Sequence, residues 1–211
     1  MRQLVPGTRF LATLVLLVSL PFAARAQGWN ETVNGGGDAG ALVATAQLTA
    51  GNGPLTTITG TLGSTQDVDL YCIDVTDPAQ FSAHLVCTVL VDPDLWLFDP
   101  SGKGVALNDG CSASWTQIPP GFVVTSGTYY LGISADGRDA LSAGGPMWLS
   151  PWVSNARPPD GPGAAGTLIG WGGSGTVTVP SYTVTLTGAG YCDTATPART
   201  GTWGRLKVIY R

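Results

Sequence analysis

The chain has one histidine, His84, and one glutamate, Glu31. A Ser-His-Asp triad would have to use His84. That residue sits inside Phe81-Ser82-Ala83-His84-Leu85-Val86, where apolar and polar residues alternate as in a solvent-facing strand, and no Gly-x-Ser-x-Gly elbow occurs. The four cysteines, Cys72, Cys87, Cys111 and Cys192, form no Cys-x-x-Cys pair, so a zinc site of the usual Cys/His type has no ligand set. Basic residues are scarce as well: 10 Lys and Arg stand against 14 Asp and Glu. Apolar runs long enough for a membrane span, about 20 residues, are missing throughout.

What is present at the start has a different character. Arg2 and Arg9 precede the apolar run Phe10 to Ala24, and Ala24-Arg25-Ala26 follows as a small-x-small cleavage site. This is the three-part pattern of a secretory signal peptide, expected over residues 1–26. Removing Arg2, Arg9 and Arg25 leaves 10 − 3 = 7 basic residues against 14 acidic ones, a net charge of −7. Four of those seven, Arg199, Arg205, Lys207 and Arg211, lie near the end of the chain. The body therefore repels phosphate backbones, which argues against nucleic acid, and it concentrates cations, which favours calcium.

The body, residues 27–192, reads as one all-β domain, an antiparallel jelly-roll-like β-sandwich. Thirty glycines and 15 prolines leave little room for helices. Short runs rich in β-formers recur between turns, near Leu42–Leu48, Leu55–Leu62, Val68–Val75, Gln80–Val86, Leu95–Phe98, Val105–Asn108, Thr128–Ser134 and Tyr182–Thr187. Along Asp69 to Val75, Tyr71, Ile73 and Val75 share one face while Leu70, Cys72 and Asp74 share the other.

Residues 141–180 form a Gly/Pro-rich excursion carrying Trp148, Trp152 and Trp171. These rings either stack on sugars as a binding surface or cover an apolar edge of the sandwich. Gly170 to Gly175 spells G-x-G-x-x-G, but Thr-Val-Thr-Val follows it where a dinucleotide site needs a helix.

The densest run of acids is Asp92 to Gly110, DPDLWLFDPSGKGVALNDG. Asp99-Pro100-Ser101-Gly102 is a β-turn signature, joining Leu95–Phe98 to Val105–Asn108 as a hairpin. Two uses remain open for the aspartates. One is turn chemistry alone. The other is calcium, which takes six to eight oxygen ligands. Asp67 and Asp69 straddle one strand start, Asp92 and Asp94 precede another, and Asn108 and Asp109 end a third. Asp67, Asp69, Asn108 and Asp109 are the candidate calcium ligands. Acid–base catalysis by an aspartate pair is the remaining use, but turn aspartates in solvent keep ordinary pKa values unsuited to it, and no catalytic residue is expected.

An even cysteine count in an exported chain favours two disulfides, for which three pairings exist. The hairpin brings the flanks of Asp92–Gly110 together, so Cys87 with Cys111 is preferred. Cys72 with Cys192 follows by elimination and requires the last strand to return beside the third. Residues 193–211 form a basic, aromatic tail. Trp203, Leu206 and Tyr210 would share one helical face, suited to docking on export or surface machinery, or the tail is a final strand or frayed end.

Several segments together carry a resemblance. Asp67-Val68-Asp69-Leu70-Tyr71, Ile73-Asp74-Val75, Phe81-Ser82-Ala83, Leu95-Trp96-Leu97-Phe98-Asp99 with Gly102 and Gly104, Asn108-Asp109, and Tyr129-Tyr130-Leu131-Gly132-Ile133-Ser134 occur in order. Over roughly Leu55 to Ser134 the chain resembles the bacterial pre-peptidase C-terminal domain family. The resemblance implies a jelly-roll-like sandwich, an extracellular location and no catalysis by the domain itself. Members of that family accompany secreted proteases, aid substrate or matrix binding, and in some cases bind calcium. The family often places a second acidic residue after Asn-Asp, where this chain has Gly110. The expectation is a non-catalytic secreted or cell-surface module that contacts extracellular matrix, polysaccharide or a cell-surface component. The alternatives are a carbohydrate-binding module using the tryptophans and a small secreted hydrolase.

Overall fold

The structure, a computed structural model, describes residues 27–87, 92–110, 115–150 and 155–194. The expected signal segment, Cys111, Trp152 and nearly all of the expected tail lie outside them. Among the described residues there is no α-helix, and none is long and apolar enough to cross a membrane.

The strands run in chain order as β1 (Gln27–Asn30), β2 (Gln47–Leu48), β3 (Ala50–Gly51), β4 (Leu55–Gly60), β5 (Val68–Val75) and β6 (Ser82–Val86). Next come β7 (Pro93–Phe98), β8 (Gly104–Asn108), β9 (Trp115–Ile118) and β10 (Gly127–Ala135). The excursion contributes β11 (Arg138–Ser142), β12 (Gly145–Pro146) and β13 (Gly170–Gly173), and the chain closes with β14 (Tyr182–Thr187), β15 (Ala189–Tyr191) and β16 (Asp193–Thr194).

One sheet has the order β1-β4-β14-β6-β9 and the other β15-β5-β10-β7-β8, with β2 also against β5. This is an all-β sandwich, as expected, but its sheets are mixed. β1 pairs parallel to β4, and β2 parallel to β5, while the other pairings within these two sheets are antiparallel. The parallel strands are short edge additions from the N-terminal segment. They cover sheet edges that would otherwise expose unpaired backbone groups.

Between the sheets lies the main core. Tyr71, Ile73 and Val75 of β5, Leu95 and Leu97 of β7, and Leu131 and Ile133 of β10 face Ile58 of β4 and Val184 and Leu186 of β14. The period-two alternation read along β5 is thus real, yet its other face is not solvated. Val68, Leu70, Trp96 and Phe98 form a second core with Met147, Trp148 and Leu168 of the excursion. Burial on both faces explains why β7 reads as an unbroken apolar run rather than an alternating one.

The excursion is therefore a cover. Trp96 meets Trp148 and Trp171 edge-on, with ring centroids 5.3 Å and 5.2 Å away. Trp171 Nε1 donates to the Ala41 carbonyl at 2.7 Å, which ties the cover to the N-terminal segment. That segment departs from expectation too. Instead of a strand over Leu42–Leu48, a single 3-10 turn spans Val43–Thr45, and only Gln47–Leu48 pairs. Thr45 Oγ1 accepts from the Leu42 amide, the local side-chain bond that competes with strand pairing.

The expected hairpin turn is present. Gly102 N donates to the Asp99 carbonyl at 2.9 Å, while Asp99 Oδ1 accepts from Ser101 N and Lys103 N. Cys72 is bonded to Cys192, and β15 pairs with β5 as that bond requires. Pairing continues past the expected domain end at 192, because β16 lies parallel to β3.

Candidate cation-binding site

The structure does not bring Asp67, Asp69, Asn108 and Asp109 together as one ligand set. It divides them between two acidic clusters, Glu31–Asp38–Asp69 and Asp94–Asp109–Asp136. The division follows from strand alternation. Asp69 is in phase with Tyr71 and Ile73, on the main-core side of its sheet. Asp94 is in phase with Trp96 and Phe98, on the side covered by the excursion.

Asp67 and Asn108 have local duties. Asp67 Oδ2 accepts from Gly63 N at 2.6 Å and closes the loop before β5. Asn108 Nδ2 donates to the Gln117 carbonyl of β9 at 2.6 Å, so its side chain reaches toward the facing sheet and away from Asp109.

The first cluster is built from hydrogen bonds. Glu31 Oε1 accepts from Ala39 N, and Oε2 from Thr61 N, at 3.0 Å and 2.9 Å. Asp69 Oδ2 accepts from the Tyr182 hydroxyl, which in turn lies 2.6 Å from the Tyr71 hydroxyl. Burial pushes the Asp69 carboxyl up to about 9, opposed by the Tyr182 hydrogen bond and reinforced by the charges of Glu31, Asp67 and Asp38. At neutral pH Asp69 is a neutral acid. Burial also pushes the Tyr71 and Tyr182 hydroxyls up, so both phenols stay protonated.

The second cluster gathers three strand ends: Asp94 near the start of β7, Asp109 just after β8, and Asp136 just after β10. Pairing of β7 with β8 and β10 puts Leu95 opposite Asn108 and Asp94 opposite Ser134, which sets the three acids side by side. Gly110 and Gly137, with φ of +121° and +87°, let the chain turn away directly after Asp109 and Asp136. Any side chain at 137 would also press on the Ser174 carbonyl, 2.8 Å from a Cβ placed there.

Hydrogen-bond donors are few here. Asp94 is 0% exposed and Asp109 is 3% exposed. Asp94 Oδ2 accepts a long 3.4 Å bond from Ser134 Oγ, which also accepts from Trp96 Nε1. Asp94 Oδ1 and Asp109 Oδ2 are buried with no hydrogen-bond partner among the described residues. Asp136 Oδ2 accepts from Thr176 Oγ1 at 2.8 Å. The Asp94 and Asp109 carboxyls lie close enough to share a proton. Burial pushes both up, Asp109 to about 7, and the charges of Asp136 and Asp92 add to the effect. Arg157 pulls Asp109 the other way, but its guanidinium is engaged by Asp160 and the Leu149 carbonyl.

Sequence reasoning missed Glu31, Asp38 and Asp136 as partners. Glu31 lies 38 residues before Asp69, and Asp136 lies 27 after Asp109. Only the strand order joins them. A pair of aspartate-glycine steps, Asp109-Gly110 and Asp136-Gly137, was the available signal.

The expected binding surface is corrected. Trp148 is 5% exposed, and its Nε1 donates to the Arg157 carbonyl, so it offers no ring face to a sugar. Trp171 is half-buried against Trp96 and Phe98. Trp152 lies outside the described residues. Cys87 is disulfide-bonded, and its expected partner Cys111 likewise lies outside them.

Comparison with protein-family models gives no match, and neither does comparison with curated proteins.

Proposed function

We propose that the chain is a non-catalytic secreted or cell-surface β-sandwich module that binds a matrix polymer or surface glycan, with calcium as a structural ion. The observation that carries this reading is the open face of the first sheet. Ser82 and His84 of β6, Gln117 of β9, and Thr185 and Thr187 of β14 line a shallow groove there. The strand register puts Thr185 opposite His84 and His84 opposite Gln117, one polar row across three strands. Hydroxyl and amide groups held on a rigid sheet suit the hydroxyl groups of a polysaccharide, and the tryptophans do not compete for the role.

Three further points support it. The signal-peptide pattern and the disulfides fit an exported chain. The resemblance to pre-peptidase C-terminal domains implies the same class of role. Hydrolysis by paired aspartates fits poorly: glycosidases hold their two carboxyls roughly 5 Å or more apart around a substrate, whereas Asp94 and Asp109 touch and are sealed from solvent.

Retention on insoluble polysaccharides and on matrix protein tests the reading. We expect retention of the purified protein on at least one polysaccharide, and its loss in Gln117→Ala combined with Thr185→Ala. Retention on none of the supports, or retention unchanged in that double variant, would overturn it.

A further inference from the structure

We propose that Asn52-Gly53 is a self-modifying site of the folded protein, where the asparagine converts to isoaspartate and aspartate, and that the fold shields the chain's other asparagine-glycine step, Asn34-Gly35. Both steps are exposed, so exposure does not separate them.

The reaction needs only the dipeptide and water. The Gly53 amide nitrogen gives up its proton and attacks Asn52 Cγ. The N–Cγ bond forms, the Cγ–Nδ2 bond breaks, and ammonia leaves carrying the proton that the Gly53 nitrogen gave up. The product is a succinimide ring, which water then opens. Cleavage at Cγ gives aspartate. Cleavage at the main-chain carbonyl carbon gives isoaspartate, whose main chain runs through the former side chain. Glycine in the second position favours the attack, because no Cβ crowds the nitrogen.

The attack requires an asparagine side chain that can swing and a following amide without another partner. The two steps differ on both counts. Asn34 Oδ1 accepts from Asn30 N at 2.7 Å, and Gly35 N donates to the Asn30 carbonyl at 3.3 Å. Gly35 also lies so close to the Gln47 side chain that a Cβ there would overlap it. Gln47 is itself fixed, since its Nε2 donates to the Glu31 and Gly37 carbonyls and its Oε1 accepts from Trp29 Nε1. At the other step, no group among the described residues accepts from Gly53 N or hydrogen-bonds the Asn52 side chain.

Asn52 occupies the corner between β3 and β4. Beside it, Gly51 packs on the Tyr191 ring and Pro54 bridges Gly190. Isoaspartate inserts an extra main-chain atom into this corner, and either product adds a negative charge. Both changes fall next to the pairing of β3 with β16, the last described strand. The backbone thus carries its own clock at the strand pair that ends the sandwich.

Peptide mapping of the full chain, held folded in warm and mildly alkaline buffer, tests the assignment. Each peptide is read in two ways. One is the mass gained when an amide becomes a carboxyl. The other is methyl transfer by isoaspartate methyltransferase, which marks isoaspartate alone. We expect both signals first in the Asn52 peptide. The Asn34 peptide should lag by about tenfold or more, since one broken hydrogen bond is worth up to about a factor of ten in rate and two must break there. In denaturant with the disulfides reduced, the lag should shrink to a few-fold. Asn52→Ser should lose the early signals; Gly53 is left in place because its φ of +82° suits glycine. Equal rates for the two peptides in the folded protein, an Asn52 peptide that gains neither mass nor methyl label, or a lag that persists in denaturant would each overturn the assignment.

Discussion

Asp69 and Asp94 stand on opposite faces of one sheet, Asp69 with the main core and Asp94 with the core beneath the excursion. Their strands are both neighbours of β10, so the two acids are close in the sheet yet see different surroundings. Asp69 meets two tyrosine hydroxyls in series, while Asp94 meets another carboxyl. One sheet thus carries a buried acid of each cluster on opposite faces, and the two clusters cannot merge.

Asp69 should make stability fall as pH rises. Its folded carboxyl titrates at about 9, against about 3.9 in an unfolded chain. Below pH 4 both states hold the proton, and this contribution is fully present. Above it the unfolded chain loses the proton first, so stability drops by up to about 1.4 kcal/mol per pH unit until the folded group ionises near pH 9. Denaturant unfolding in chelator between pH 5 and pH 8 reads the slope. Asp69→Asn should make it shallower by up to about 1.4 kcal/mol per pH unit, leaving the part that comes from Asp94 and Asp109. An identical slope in wild type and variant would remove Asp69 as its source.

Tyr182→Phe should act on the same group. The hydroxyl donates to Asp69 and lies 2.6 Å from that of Tyr71, so its loss leaves two buried groups short of a partner. The expected cost is about 1–3 kcal/mol. The Tyr182 bond also lowers the Asp69 titration, so without it the pH-dependent decline should extend to higher pH. A variant as stable as the wild type would show that water replaces the hydroxyl.

Trp96→Ala and Trp148→Ala should each destabilise the fold by about 3–5 kcal/mol, the usual cost of removing a buried aromatic. Both belong to the second core, and their rings meet edge-on. Thermal unfolding checks this. A Trp148→Ala protein with an unchanged midpoint would mean the excursion does not hold its ring, and the sugar-stacking alternative would return.

The elements that could be read in the sequence are those encoded locally. The alternation of Tyr71, Ile73 and Val75 marks β5, and Asp99-Pro100-Ser101-Gly102 marks the turn between β7 and β8. The excursion could not be placed this way. Whether Trp148 faces solvent or Trp96 depends on a loop folding back over a sheet, and no local period records that. β9 was missed for a related reason: a four-residue strand between Cys111 and the Pro119-Pro120 pair is too short to show a period. The acidic clusters were half legible. Asp94 and Asp109 sit in one hairpin, but their third member, Asp136, arrives just after β10, through strand order alone.

The Cys72–Cys192 bond should stabilise mainly through the unfolded chain. The two residues are 120 apart in sequence, with Cα atoms 5.5 Å apart. Their approach is already built by other contacts. Tyr191 lies opposite Ile73 in the β15–β5 pairing, and Thr49 Oγ1 donates to the Cys72 carbonyl while accepting from Cys192 N. The folded state therefore needs little from the bond, whereas the unfolded chain loses the freedom of a very long loop. Replacing both cysteines by alanine should cost about 2–5 kcal/mol in denaturant unfolding. The far-ultraviolet spectrum should not change, because the strands that flank the bond still pair. Removing both cysteines is cleaner than reduction, since Cys87 is also disulfide-bonded. Lost strand signal in the folded variant would reverse the argument: the bond would then be what holds β15 on the sheet edge, and Thr49 would be a consequence of that placement.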